Sequence, residues 1–466
     1  MRHWFTPKVA LPLFETLTGR RFWSELDRQR KLQWLSVAEL AALRLARIQE
    51  LVDHAGTHVP FYRDLYRERG VEPQMLRSLG DLSRLPIVTK SALRGRPEHE
   101  VTAENLPKQR HLPSATSGST GMPFAFWMDK AATDRHLASF LLGLEWAGVA
   151  LWDLRVDVMV TPGVSWNSRL TSSNRWALSL RKWLLGLEVR RIGRLQITAQ
   201  ELCEMLDSIP RGRDYFLRVY PSQAGRLARE MLDLGLEPEH FPKAVVSSTE
   251  SLTTVNASAI SEAFRCPVVN HYSCWEALHL AQSCPDHPDR LHVNSAIAHL
   301  RVVREDGSPA TTGESGRILL TSLTNEVMPF INYELGDRGA LGDPCSCGRG
   351  SQTLLGLDGR TDEVITGKDG GFLSPVVLNQ LPALGKAGLY LREFQLVETG
   401  KQTLLARVVP TRRFDDIRAE AIRDELHRIL GDPWNITVES VADIPREASG
   451  KRLVIKRLGR PGPSDV

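Results

Sequence analysis

The run Ser114-Ala-Thr-Ser-Gly-Ser-Thr-Gly-Met-Pro123 concentrates small hydroxyl residues and glycines in a way that suits a loop wrapping phosphates. Gly118 and Gly121 let backbone N–H groups close on an anion without a Cβ in the way. Thr116, Ser117, Ser119 and Thr120 add hydroxyl donors, and Pro123 stops the loop from continuing as a helix. It is not a Walker A loop, since no Lys-Ser/Thr pair follows the second glycine, and the Gly-x-Ser-x-Gly of serine hydrolases is absent. A solvated loop has the same composition, so the run alone leaves both readings open.

A second group, Cys284-Pro-Asp-His287 with Cys345-Ser-Cys347-Gly348, supplies three thiols and an imidazole. Cys-x2-His and Cys-x-Cys spacings can place ligand pairs on one ion, and four such ligands with no open position would make a structural zinc site. Free cysteines in turns are the alternative, and His292 could replace His287. Cys203 and Cys266 read as core residues.

Further along the chain the loop gains company. Thr116-Ser-Gly-Ser-Thr-Gly121 resembles the phosphate-loop motif of the adenylate-forming superfamily, and four later stretches resemble its remaining motifs in the same order. These are His271-Tyr-Ser-Cys-Trp-Glu276, Tyr333-Glu-Leu-Gly-Asp337, Gly359-Arg-Thr-Asp-Glu363 and Ser449-Gly-Lys451. Val59-Pro-Phe-Tyr62 and Leu85-Pro-Ile-Val-Thr-Lys90 are similar to segments of one branch, the phenylacetate–CoA ligase-like and coenzyme F390 synthetase-like proteins.

The resemblance implies attack of a carboxylate on the α-phosphorus of ATP, then attack of the CoA thiol on the acyl-adenylate. Because two anions meet in the first step, positioning and charge neutralisation must carry it. Thr116, Ser117, Gly118, Ser119, Thr120 and Gly121 would hold the β- and γ-phosphates. Ser248, Thr249, Glu250, His271, Tyr272 and Ser273 would lie about the nucleotide, Asp337 would accept from the ribose hydroxyls, and Arg360 would reach the ribose or phosphates. Glu276 would hold Mg²⁺. Ser449-Gly450 makes a tight turn presenting Lys451, whose ammonium would bridge the acid's carboxylate and the α-phosphate. Thr116, Glu276 and Lys451 are thus the expected catalytic residues, and Asp362 the hinge.

Two positions depart from the motif: Ser273 stands for glycine and Trp275 for threonine. Trp275, with Cys274, would then wall the acid pocket. The expected cosubstrates are ATP, CoA and an aromatic or hydrophobic acid, with AMP released, Mg²⁺ as cofactor and Zn²⁺ as a structural ion. Transfer to a carrier protein, an amine or a cofactor hydroxyl is the second reading, and a catalytically silent nucleotide- or zinc-binding protein the third.

These residues need a scaffold. At 466 residues the chain exceeds what one core usually supports. The expected class is α/β: a large N-terminal domain over 1–358 and a small mobile α+β domain over 359–466. Within the first, residues 1–110 form a mainly helical lead-in. Ser36-Val-Ala-Glu39 is a capping box, Leu40, Leu43, Ile48 and Leu51 form an apolar face, and Gly56 is a stop. From 111 to 358, β-rich runs alternate with helical stretches, which implies crossovers and a mixed or mainly parallel sheet with helices on its faces. Ligands then sit beyond the carboxyl ends of the strands. Beyond Gly359, a helix with Ile422, Leu426 and Ile429 on one face lies among strand-like runs.

Fifty-nine Lys and Arg against 55 Asp and Glu give a net charge of only +4, with no basic tract to suit nucleic acid. No apolar run is long enough to span a bilayer and the N-terminus lacks a signal-peptide shape, so the expected compartment is the cytoplasm. The oligomeric state stays open between monomer and homodimer.

Overall fold

The computed structural model describes residues 6–116, 124–158, 189–192, 197–360, 365–367, 372–373, 378, 381, 390–445 and 453–457. Ser117, Gly118, Ser119, Thr120 and Gly121 of the hydroxyl loop, Asp362 and Lys451 lie outside the described residues.

The chain opens with four helices, α1 (Leu11–Thr18), α2 (Phe22–Leu32), α3 (Val37–His58) and α4 (Pro60–Arg69). The capping box at α3 forms in both directions: Ser36 accepts from the Glu39 N–H, and Glu39 accepts from the Ser36 N–H at 2.8 Å. Leu40, Ile48 and Leu51 are buried, whereas Leu43 faces solvent. Gly56 does not end α3, which runs on to His58. A Cβ at Gly56 would lie 3.2 Å from the Tyr66 ring of α4, so this glycine serves helix packing. Two short helices follow, α5 (Lys90–Leu93), capped by Thr89, and α6 (Glu98–Val101).

A hairpin of β1 (His111–Ala115) and β2 (Ala125–Asp129) brackets the hydroxyl loop, and Asp129 then caps α7 (Lys130–Trp146). Among the described residues the main sheet has eleven strands, in the order β10-β11-β12-β13-β9-β8-β7-β6-β5-β3-β4. β3 (Leu154–Val158), β4 (Val189–Arg191), β5 (Tyr215–Val219), β6 (Val245–Ser248) and β7 (Val268–Cys274) pair in parallel. The remainder is antiparallel: β8 (Leu278–Ser283), β9 (Leu291–Val293), β10 (Ala298–Val303), β11 (Gly316–Ser322), β12 (Tyr333–Gly342) and β13 (Thr353–Arg360). The sheet is therefore mixed, and β7 is the strand at which it changes sense.

Helices cover both faces of the parallel half, as buried strands require. α8 (Ala199–Asp207), α9 (Pro221–Leu234) and α10 (Thr254–Phe264) pack on Val156, Leu217 and Val245. On the other face α7, with Phe22 and Leu26 of α2 behind it, packs on Phe216, Val246 and Val269. Under the antiparallel half, α3 and α4 share a core with Phe126, Leu300, Leu320, Phe330 and Tyr333.

After a short pair, β14 (Ile365–Thr366) and β15 (Phe372–Leu373), the chain builds a separate four-stranded sheet. It comprises β16 (Leu391–Gly400), β17 (Thr403–Pro410), β18 (Asn435–Ser440) and β19 (Ile455–Arg457), with α11 (Asp416–Leu430) before β18. Ile422, Leu426 and Leu430 recur at helical spacing and are all buried in a core of their own with Leu396, Leu404 and Val408. Ile429 packs at its edge. Among the described residues no helix is long and apolar enough to cross a membrane.

Candidate active site and metal cluster

The hydroxyl loop is closed at its root. The Thr116 N–H donates to the Phe124 carbonyl at 3.0 Å, and the Phe124 N–H donates to Thr116 Oγ1 at 3.1 Å. Phe124 is buried and stacks on Phe126, whose ring meets Phe330 edge-on. Of the expected phosphate residues, the structure thus shows Thr116 tying the loop to a rigid hairpin.

Alternation along β7 divides its side chains between two faces. Tyr272 projects toward β12, and its hydroxyl donates to Asp337 Oδ2 at 2.7 Å. Asp337 is the cross-strand partner of Arg360, whose Nη1 is 3.7 Å from Asp337 Oδ1. Three expected nucleotide residues therefore converge. Burial, then the Asp337 charge, drives the Tyr272 hydroxyl far above its ordinary value, so it stays a donor. Cys274 lies on this side too, its thiol raised by burial and then by Glu276. Trp275 packs half-buried against the core.

Just beyond β7, Glu276 is only 3% exposed. It accepts from the Tyr333 hydroxyl at 3.1 Å and lies 3.4 Å from Lys90 Nζ. Lys90 also sits 5.7 Å from the centre of the Phe124 ring, which links Glu276 back to the loop root. The position of Lys90 follows from local chemistry: Thr89 caps α5, and Val88 bridges Tyr333 of β12. The motifs by themselves assign no role to Lys90 or to the Tyr333 hydroxyl. The signal was present in Leu85–Lys90, where a capping threonine precedes a lysine.

The remaining expected nucleotide residues divide. Ser248 and Ser273 hydroxyls are 3.4 Å apart at the end of the parallel strands. Thr249 holds φ at 76°, an αL value uncommon for a β-branched residue, which turns the chain sharply after β6. Glu250 accepts from the Ser222 N–H in the first turn of α9, where a carboxylate favours the helix N-terminus. His271 turns away from Tyr272 and Asp337, toward α7, where Nε2 lies 2.8 Å from His279 Nδ1.

At the far end of β8 and β9 the structure assembles Cys284, His292, Cys345 and Cys347, with ligand atoms all within 4.8 Å of one another. His287 is not in this group. Its Nε2 engages the Ser346 hydroxyl at 2.8 Å on the turn after Cys284, whereas β9 carries His292 inward. Of the two imidazoles that the sequence offers, His292 rather than His287 stands with the three thiols.

Sγ atoms of Cys284 and Cys345 are 3.9 Å apart, and Cys347 Sγ is 3.3 Å from His292 Nε2. About 3.5–3.8 Å is the edge of a tetrahedron with metal–sulfur bonds of ~2.3 Å and metal–nitrogen bonds of ~2.0 Å, so the donor set fits zinc. His292 Nδ1 meets Ser351 Oγ at 2.9 Å, which fixes the ring. Burial, and then Arg349, lowers its pKa to about 4, leaving the neutral imidazole a ligand requires. Arg349 itself is held between the rings of Trp34 and Trp146, which docks the N-terminal helices onto the cluster.

A profile of the CapK C-terminal domain matches residues 365–457. Over 455 residues the chain is 25% identical to the phenylacetate-coenzyme A ligase of Thermus thermophilus, covering 91% of this chain and 97% of that protein. It is 20% identical to protein CapK of Staphylococcus aureus, over 93% of this chain and 91% of that one. Among solved structures, 2-hydroxyisobutyryl-CoA ligase in the postadenylation state aligns with a TM-score of 0.70 at 22% identity, covering 92% and 91% of the two chains.

Proposed function

We propose that this chain, similar over nearly its whole length to phenylacetate-coenzyme A ligase and to protein CapK, joins a carboxylic acid to CoA through an acyl-adenylate. In the first step a carboxylate oxygen attacks the α-phosphorus of ATP, and the bond to pyrophosphate breaks. In the second, the CoA sulfur attacks the acyl carbon, AMP leaves and the thiol proton is released. The observation that carries this reading is the convergence, around the turn from β7 to Glu276, of the Tyr272–Asp337–Arg360 set with the Glu276–Lys90–Tyr333 set, next to the loop rooted at Thr116.

Each set has work suited to it. Asp337 offers carboxylate oxygens to the ribose diol while Tyr272 holds it in place. Arg360 adds a fixed positive charge near the sugar and phosphates. Lys90 offsets the negative charge of Glu276 and leaves an ammonium facing the loop root, where pyrophosphate would depart. Glu276, buried and hydrogen-bonded, would hold Mg²⁺, which neutralises phosphate charge. The Cys284, His292, Cys345 and Cys347 set would hold Zn²⁺ as a structural ion.

The small domain over 359–466 would turn about Asp362 to bring Lys451 to the α-phosphate and the acid's carboxylate. An aromatic or hydrophobic acid is the class that the resemblance favours. ATP–pyrophosphate exchange over a panel of acids tests the reading: acid-dependent exchange that collapses in Lys451→Ala supports it, and undiminished exchange in that variant rules out the role given to Lys451.

A further inference from the structure

On the α7 side of the sheet, a pocket with about 490 Å³ of empty space, part of it open to solvent, lies between α2, the start of α3, α7 and strands β7 to β9. His271, Gln282 and His292 form its floor and belong to one row of cross-strand partners, in which His271 opposes Gln282 and Gln282 opposes His292; Ser248, which opposes His271, continues the row beyond the pocket. Directly opposed residues share a sheet face, so the row runs from the end of β6, beside the candidate nucleotide residues, to the metal cluster. Carbon walls rise from it, formed by Leu40, Leu142 and Trp146.

The floor carries hydrogen-bonding groups without partners. Among the described residues the Gln282 side-chain amide makes no hydrogen bond, and neither does the buried Ser295 hydroxyl on the rim. His279 uses Nδ1 on His271 and keeps Nε2 available. α7 comes so close that a Cβ on Gly143 would lie 1.5 Å from Gln282 Oε1, so the helix gives up a side chain to seat this amide. Burial, reinforced by Arg218 and Arg155, lowers His271 to about 3, and burial with His271 lowers His279 far below its ordinary value. The pair stays uncharged, and the cavity offers hydrogen bonds rather than charge.

Resting on the adenylation reading above, we propose that this cavity takes the body of the acid, and that the acid bears hydroxyl or amino groups remote from its carboxylate. A ring or short chain fits between Leu142, Trp146 and Leu40, while its polar edge satisfies Gln282, His279 and Ser295. An acid without such groups would fill the cavity and shut water away from the Gln282 amide and His279 Nε2, and would leave the buried Ser295 hydroxyl unpaired, which is the stronger form of discrimination. Cys274 lies on the opposite face of β7, with Tyr272 and Asp337, and so takes no part in this selection.

The test is ATP–pyrophosphate exchange by the full-length chain with phenylacetate and benzoate set against their hydroxy and amino counterparts. The expected result is a kcat/KM higher by about 10- to 100-fold for the substituted acids. Gln282→Leu and Ser295→Ala should move that ratio toward one while the KM for ATP holds. Ser295→Ala removes only a hydroxyl without a partner, so it reports even where Gln282→Leu does not fold. Preference for the bare acids, or a ratio unchanged in the folded variants because water alone fills the cavity, overturns this inference and leaves adenylation standing. Absence of exchange with every acid, in a chain that binds ATP, overturns the adenylation reading itself.

Discussion

Lys90 Nζ lies 3.4 Å from Oε1 of Glu276, a carboxylate that is almost wholly removed from solvent. The two residues come from distant parts of the chain, and their meeting joins the N-terminal helical region to the turn that follows β7. Removing the ammonium would leave a buried carboxylate with, among the described residues, the Tyr333 hydroxyl as its side-chain partner.

Lys90→Met should therefore destabilise the protein by about 1–3 kcal/mol, the range for stranding a buried charged group beside a partly exposed partner. Combining it with Glu276→Gln should recover most of that loss. Urea unfolding of the two single variants and the double variant measures the coupling, and strictly additive losses would show that the pair does not interact.

Lys451→Ala should lower acid-dependent ATP–pyrophosphate exchange by about 10²–10³-fold, the usual effect of losing one group that neutralises developing charge. Thioester formation from an acyl-adenylate supplied ready-made should fall far less, since the ammonium is placed at the first step. Equal losses in both assays would point to a general defect.

Asp337→Asn should raise the KM for ATP by roughly tenfold, as a carboxylate acceptor for the ribose becomes a neutral amide. The Tyr272 hydroxyl keeps an acceptor in the variant, so the thermal midpoint should change little. A large fall in kcat at unchanged KM would remove Asp337 from the ribose.

Metal content separates the two histidines. Purified wild type should carry one zinc per chain, His287→Ala should keep it, and His292→Ala or Cys347→Ser should lose most of it together with several degrees of thermal stability. Elemental analysis decides the matter, and zinc lost from His287→Ala but kept in His292→Ala would reverse the assignment.

Acid should weaken the fold through its buried histidines. His136, His271 and His299 are each lowered by burial to about 3, and His279 falls far below its ordinary value. The unfolded chain binds protons at these sites below roughly pH 6.5 and the folded chain does not, so stability present above that value is lost as pH falls toward the folded pKa values. Each contributes up to about 1.4 kcal/mol per pH unit in that window. Urea midpoints between pH 8 and 5 should drop steeply below pH 6.5, and a flat profile would show that these rings are protonated in the fold.

Local chemistry accounts for what could be read from the chain alone. Ser36 and Glu39 announce α3, Ile422 and Leu426 mark the buried face of α11, and Tyr272, Asp337 and Arg360 meet as their motifs suggest. What stayed hidden depends on pairing between remote segments. Lys90 reaches Glu276 only because Val88 bridges β12, and His292 displaces His287 only because β9 folds inward after a turn. The His271–Gln282–His292 row needs two strand registers at once, and no spacing along the chain encodes both.

His292 belongs to two neighbourhoods, closing the thiol cluster on one side and bordering the cavity on the other. If the cavity takes the acid as proposed, thiol chemistry and substrate choice share this one side chain. An oxidant that converts Cys284 and Cys345, whose sulfur atoms lie 3.9 Å apart, to a disulfide would break up the donor set around the imidazole at the foot of the chamber, and on the proposed reading such damage would first show as relaxed choice among acids, well before the nucleotide ceased to bind.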